Sequence, residues 1–174
     1  MAFQEKKSKV LARQWGAGLF LLWSVLHIYV GIAGLIEFLF GTSQSQWKML
    51  LGGAHAPLNA FQFATDAITQ NAQSHLFVNF CLDVGGYGVL GLFVAWMIWK
   101  HGSWLGYWIG LVVIGLADLS FTFAMVTPGI IRLDWASVSG PIIWFVAVLI
   151  TPFGLLARGE KQREGTFGLP SPSN

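Results

Sequence analysis

Four runs of apolar residues divide the chain, at 15–40, 76–99, 104–127 and 140–157. A helix of about 20 mostly apolar residues crosses roughly 30 Å of hydrocarbon, so each run is long enough for one span. The polar positions inside these runs are few and fall at helical spacing. In "SHLFVNFCLDVGGYG", residues 74–88, His75, Asn79 and Asp83 stand four apart and share one helix face with Gly86 and Leu90, with Tyr87 on its flank. In the first run Trp23, His27, Val30, Gly34 and Glu37 make a stripe roughly 80° wide at about 100° per residue. In the third, Tyr107, Ile114, Asp118, Phe121 and Met125 share a face, with Thr122 beside it. The fourth, "GPIIWFVAVLITPFGLLAR", has no ionisable residue before Arg158 and reads as a wall of the bundle. A kink at Pro152 is tolerated there if Thr151 satisfies the freed carbonyl.

The connections refine this outline. "KHGS" between the second and third runs is so short that those helices must be antiparallel neighbours. Residues 41–75 are too many to be structureless in a compact protein. Within them "APLNAFQFATDAITQ" places Leu58, Phe61, Ala64, Ala67 and Ile68 on one face and Asn59, Gln62, Asp66 and Thr69 on another, with Pro57 suited to a first turn. The pattern predicts a short amphipathic helix lying on the outer surface between helices 1 and 2. No motif recurs at fixed spacing, which gives no support to an inverted-repeat transporter.

Composition agrees with the pattern. The chain is 55% hydrophobic and 10% charged, with nine Trp and fourteen Phe, against about 25% charged residues in an average soluble domain. The basic start "MAFQEKKSKVLAR" precedes an apolar run longer than the ~7–15 residues of a signal h-region, and no small-x-small site ends it, so it reads as a retained helix. Orientation follows the Lys and Arg of the flanks. Lys6, Lys7, Lys9, Arg13, Lys100, Arg158, Lys161 and Arg163 fall on the side of the termini, and only Lys48 and Arg132 on the other. The expectation is an all-α, integral membrane four-helix bundle with both termini cytoplasmic: one transmembrane domain over 1–158 and a disordered cytoplasmic tail over 159–174, where "EGTFGLPSPSN" is rich in Gly, Pro and Ser. The net charge of +2 forms no extended basic patch, which excludes a nucleic-acid interface. Cys81 is the single cysteine, which excludes an internal disulfide and a dithiol redox pair.

Charged groups in a bilayer are costly and by default face the bundle interior. From the ~1.5 Å rise per residue, Glu37 sits roughly 5 Å, Asp83 about 10 Å and Asp118 about 14 Å below the outer end of their helices, with His27 near the middle. Three polar stripes at compatible depth predict one shared pocket, with Gly31, Gly34, Gly85, Gly86 and Gly88 allowing close approach. A carboxylic acid kept neutral by apolar surroundings donates a proton and a paired carboxylate or His removes one. The expectation is therefore a lipophilic small molecule bound in an intramembrane pocket, with isomerase- or cyclase-like acid–base chemistry open to it. Asp83, Asp118 and His27 are the candidate catalytic residues, and Asn79, Tyr87, Trp23, Glu37, His75, Phe121 and Thr122 the candidate ligand contacts.

Two other readings use the same residues. Small size, Gly-rich faces and abundant aromatics suit a non-catalytic accessory subunit of a larger membrane complex, or a homo-oligomer. His27, His75, Asp83 and Asp118, joined by His55, would offer a mixed nitrogen and oxygen metal site. Against the latter, His75 and Asp83 are two helical turns apart and Asn79 between them is a poor ligand. A haem held by two imidazoles is disfavoured because His27 is the one deep histidine.

Overall fold

In the computed structural model, residues 2–50, 62–131 and 133–167 are described, and the regular elements among them are helices. They are α1 (Ala2–Phe40), a short α2 (Ser43–Leu50), α3 (Ala67–His101), α4 (Trp104–Val126) and α5 (Trp135–Phe167). Four segments are long and apolar enough to cross a membrane: Val10–Phe40, Ala67–His101, Trp104–Val126 and Ser137–Leu156. The architecture is all-α and of multi-pass membrane type, and the four spans match the four apolar runs.

Local chemistry sets the helix ends. Asp66 accepts a hydrogen bond from the Thr69 amide at 2.8 Å and starts α3. That bond holds its carboxyl below the usual carboxylate value. Gly102 closes α3 with φ 54, a conformation glycine adopts without a Cβ penalty. Ser103 then accepts from the Gly106 amide at 3.2 Å and opens α4. A helix stop followed directly by a helix start makes α3 and α4 antiparallel, as the short connection requires. Asp134 and Ser137 cap α5 reciprocally: the Ser137 amide donates to Asp134 Oδ1 and the Asp134 amide to Ser137 Oγ, both at 3.0 Å.

Helix α1 is the centre of the bundle, packed against α3 on one side and α5 on the other. Glycines set both contacts. A Cβ on Gly31 would lie 2.7 Å from Gly85 Cα, and one on Gly88 would lie 2.7 Å from the Ile28 nitrogen, so α1 and α3 approach backbone to backbone. Gly34 packs on Cys81 and Gly91 on Ser24. On the other side Gly16 meets Thr151 and Gly154 meets Arg13, an antiparallel register that continues to His27 and Gly140. Phe20, Trp23, Val94, Ile98, Ile114, Ala147 and Leu155 fill the core between these helices.

Helix α4 is overwound nowhere but widened twice, at Gly110–Ile114 and Thr122–Val126, where the backbone turns are π-helical. Side chains occupy carbonyls in these turns. Trp144 Nε1 donates to the Gly110 carbonyl at 2.9 Å, and Thr127 Oγ1 donates to that of Thr122 at 3.1 Å. Donors inserted into the carbonyl ladder favour such bulges.

Two boundaries differ from the sequence pattern. Of the segment expected to form an amphipathic helix, residues up to 61 lie outside the described residues, 62–65 carry no regular structure, and α3 already starts at Ala67. The short helix found in this connection is α2. Helix α5 continues to Phe167, beyond the expected end at 158, and residues 168–174 lie outside the described residues.

Candidate functional site

Trp23 and His27 lie one turn apart on α1, and helical geometry brings their side chains together. Their rings stack with centroids 3.6 Å apart and planes 23° from parallel. His27 Nδ1 lies 2.8 Å from the Trp23 carbonyl oxygen. A peptide carbonyl can only accept, so Nδ1 carries a proton. Nε2 then points away from the α1 backbone, toward α4.

There it faces Asp118. His27 Nε2 and Asp118 Oδ1 are 3.7 Å apart, and Trp23 Nε1 donates to Asp118 Oδ2 at 2.9 Å. Trp23 is fully buried and Asp118 is 4% exposed, so both carboxyl oxygens look into the bundle. Thr122, one turn on, donates its hydroxyl to the Asp118 backbone carbonyl at 2.8 Å. Asp118 itself sits in α-helical turns between the two π-helical segments of α4. Helix α5 closes the group with Gly140, where a Cβ would come within 3.0 Å of His27 Cε1 and 3.7 Å of Asp118 Oδ1. At about 1.5 Å per residue, His27 is roughly 20 Å from the Phe40 end of its span and Asp118 about 12 Å from the Val126 end. The pair thus sits deep in the bundle.

Of the residues singled out from sequence, Trp23, His27, Asp118 and Thr122 come together. The other stripe does not join them. His75, Asn79, Asp83, Gly86 and Tyr87 are all exposed on α3. Asn79 Nδ2 donates to Asp83 Oδ2 at 3.0 Å, and His75 packs edge-on against Phe38 with ring centroids 5.3 Å apart. The expected single pocket of three polar stripes is therefore replaced by a site built on α1 and α4 and closed by α5. The physical reason is the close packing of α3 on α1: Cys81, Gly85, Gly88 and Gly91 must face α1, and this rotation carries Asp83 outward. Glu37 lies at the far end of α1, where its backbone carbonyl accepts from the Gly41 amide at 2.9 Å. Phe121 is half-buried on α4.

Gly140 is the member that sequence reasoning missed. Helix α5 carries no ionisable residue in its span, and a glycine beside a proline in "SGPII" reads as a helix start. The mixed metal site is likewise not assembled: among the described residues no group of three His, Cys, Asp or Glu side chains could hold an ion, and His55 lies outside them.

A separate cavity of about 410 Å³ lies at the loop end, lined by Trp47, Leu50, Gln62, Phe63, Gln73, Met125 and Ile130. Trp47 Nε1 donates to Gln73 Oε1 across it at 3.4 Å. None of the candidate site residues lines it. Compared with known proteins, the chain matches no family model, no curated protein and no solved structure.

Proposed function

We propose that the protein binds a lipophilic small molecule within its helical bundle and that Asp118 and His27 form the acid–base pair of that site, oriented by Trp23. The observation that supports this reading is the buried Asp118 carboxyl, bonded to an indole N–H on one oxygen and facing an imidazole nitrogen with the other. Intramembrane acids are costly, about 2.5–3.5 kcal/mol for a central Asp on insertion scales, and mark functional sites. One group of the pair donates a proton as the other accepts, the requirement for isomerisation or cyclisation of an apolar substrate. Asp83 has no part in this chemistry. The Lys and Arg bias of the flanks supports a cytoplasmic position for both termini.

The test is purification in mild detergent followed by mass spectrometry of whatever lipophilic molecule the protein retains. Asp118→Asn should keep the fold and lose the ligand or its conversion. Retention and turnover equal to the unaltered protein would sink the proposal.

A second reading draws on a different observation. The Asn79–Asp83 pair on the outer face of α3 is a costly thing to leave against hydrocarbon, which favours a neighbouring transmembrane helix there and so an accessory subunit of a larger complex. Stoichiometric co-purification with larger subunits, lost in Asp83→Leu, would support it. A solitary protein from gentle extraction would count against it.

A further inference from the structure

We infer that His27 and Asp118 share one proton, so that the pair is a single-proton site with no net charge. The inference rests on the acid–base reading of this pair, but not on the presence or identity of a lipophilic ligand. It follows from counting donors. Nδ1 spends its proton on the Trp23 carbonyl at 2.8 Å, so in neutral His27 the nitrogen facing Asp118 is a bare lone pair. An ionised Asp118 offers only lone pairs in return, and one of its oxygens already accepts from Trp23. Without another proton, two acceptors would face each other at 3.7 Å and a buried carboxylate would have no compensating cation.

One added proton resolves both conflicts. Placed on Asp118 Oδ1 it leaves a neutral acid beside a neutral imidazole; passed to His27 Nε2 it leaves a carboxylate beside an imidazolium. The O–H bond that breaks is replaced by the N–H bond that forms, and the charge of the pair is zero in both states. At 3.7 Å the two atoms lie just beyond direct hydrogen-bond length, so transfer accompanies a small approach of the ring to the carboxyl. Stacking on Trp23 supports one face of the ring during that motion.

Among the described residues, the helices packed around the pair supply no alternative counter-charge. On α1 the nearest ionisable side chains are Arg13 and Glu37, toward opposite ends of the helix, and Tyr29, which is exposed. On α4 the only other such group is Tyr107. Helix α5 has none between Asp134 and Arg158, and those of α3 are the buried thiol Cys81 and the exposed His75, Asp83 and Tyr87, with Lys100 and His101 at its end. The pair must therefore neutralise itself.

The experiment is spectroscopic, on the full chain in lipid nanodiscs near neutral pH. The chain has four histidines, and replacing His55, His75 and His101 by Gln leaves His27 as the sole imidazole for nitrogen-15 NMR. Infrared difference spectra against Asp118→Asn report the carboxyl. The expected result is either a protonated carboxyl with a neutral Nδ1–H imidazole or a carboxylate with an imidazolium. A carboxylate with a neutral imidazole, a protonated carboxyl with an imidazolium, or a neutral Nε2–H tautomer would each overturn the inference. Should Asp118→Asn fail to fold, a carbon-13 label on the Asp carboxyls of the triple variant, with Asp66, Asp83 and Asp134 also replaced by Asn, gives the same readout. One-proton spectra without any retained ligand would sink the ligand reading alone; two facing acceptors with ligand retained would sink the shared proton alone.

Discussion

At the scale of single residues, the Trp23 indole and the Asp118 carboxyl depend on each other more than on the membrane around them. Asp118→Ala leaves a buried indole N–H without an acceptor, which costs about 1–3 kcal/mol, whereas Asp118→Asn keeps an oxygen for it. Thermal unfolding in detergent should therefore rank the original protein and Asp118→Asn close together and Asp118→Ala well below. Equal melting of the two variants would mean that the bond at 2.9 Å contributes nothing. Gly140→Ala pushes a methyl against His27 Cε1, and its effect should be seen first in the His27 ring signals. Much of this site was legible in the sequence: His27 and Asp118 stand out because ionisable groups are rare in these runs. The partner that fixes both, Trp23, was legible as a stripe neighbour and candidate ligand contact but not as the donor to Asp118, since a tryptophan in a membrane helix has many uses.

Elements obey a different selection. The stripe of His75, Asn79 and Asp83 was visible and its direction was not, because helical periodicity says which residues share a face but not what that face meets. The glycines carried the answer, and they differ sharply within one turn. A Cβ on Gly88 would lie 2.7 Å from backbone of α1, whereas Gly86 has nothing within 4 Å. Gly88→Ala should destabilise by about 1–3 kcal/mol through overpacking, and Gly86→Ala should stabilise by about 0.5–1 kcal/mol because alanine is the better helix former. A reversal of these signs in denaturation would mean that Gly86 and not Gly88 faces α1. The start of α3 offers a pH test. The Asp66 carboxyl is held below its usual value by the Thr69 amide, so the cap is intact above that value and is lost as pH falls through the lowered one. The protection of the Thr69 amide, its exchange rate relative to the intrinsic rate at the same pH, should fall in that acidic window and not above it, and Asp66→Asn, which caps without titrating, should remove the dependence of that protection on pH.

For the whole molecule, four apolar runs were enough to give the spans, since length and composition alone decide what a bilayer accepts. The side on which the ends lie is a matter of flanking charge. Reporter domains fused to either terminus should be active only in the cytoplasm, and a reporter in the loop between α1 and α3 only outside; the opposite pattern would overturn the orientation proposed from Lys and Arg. The central place of α1 has a consequence for how the protein is made. Synthesis delivers α1 first, yet its partners arrive in turn: α3 with the matching glycines, α4 with Asp118, and α5 with Gly140 last. Until α4 is inserted, the Trp23 indole has no acceptor, and until α5 follows, the His27 ring has an open edge. A ribosome stalled between these helices would thus hold a chain whose buried polar group is unfinished, recognisable to the quality-control machinery of the membrane, and release from that surveillance would coincide with the last span.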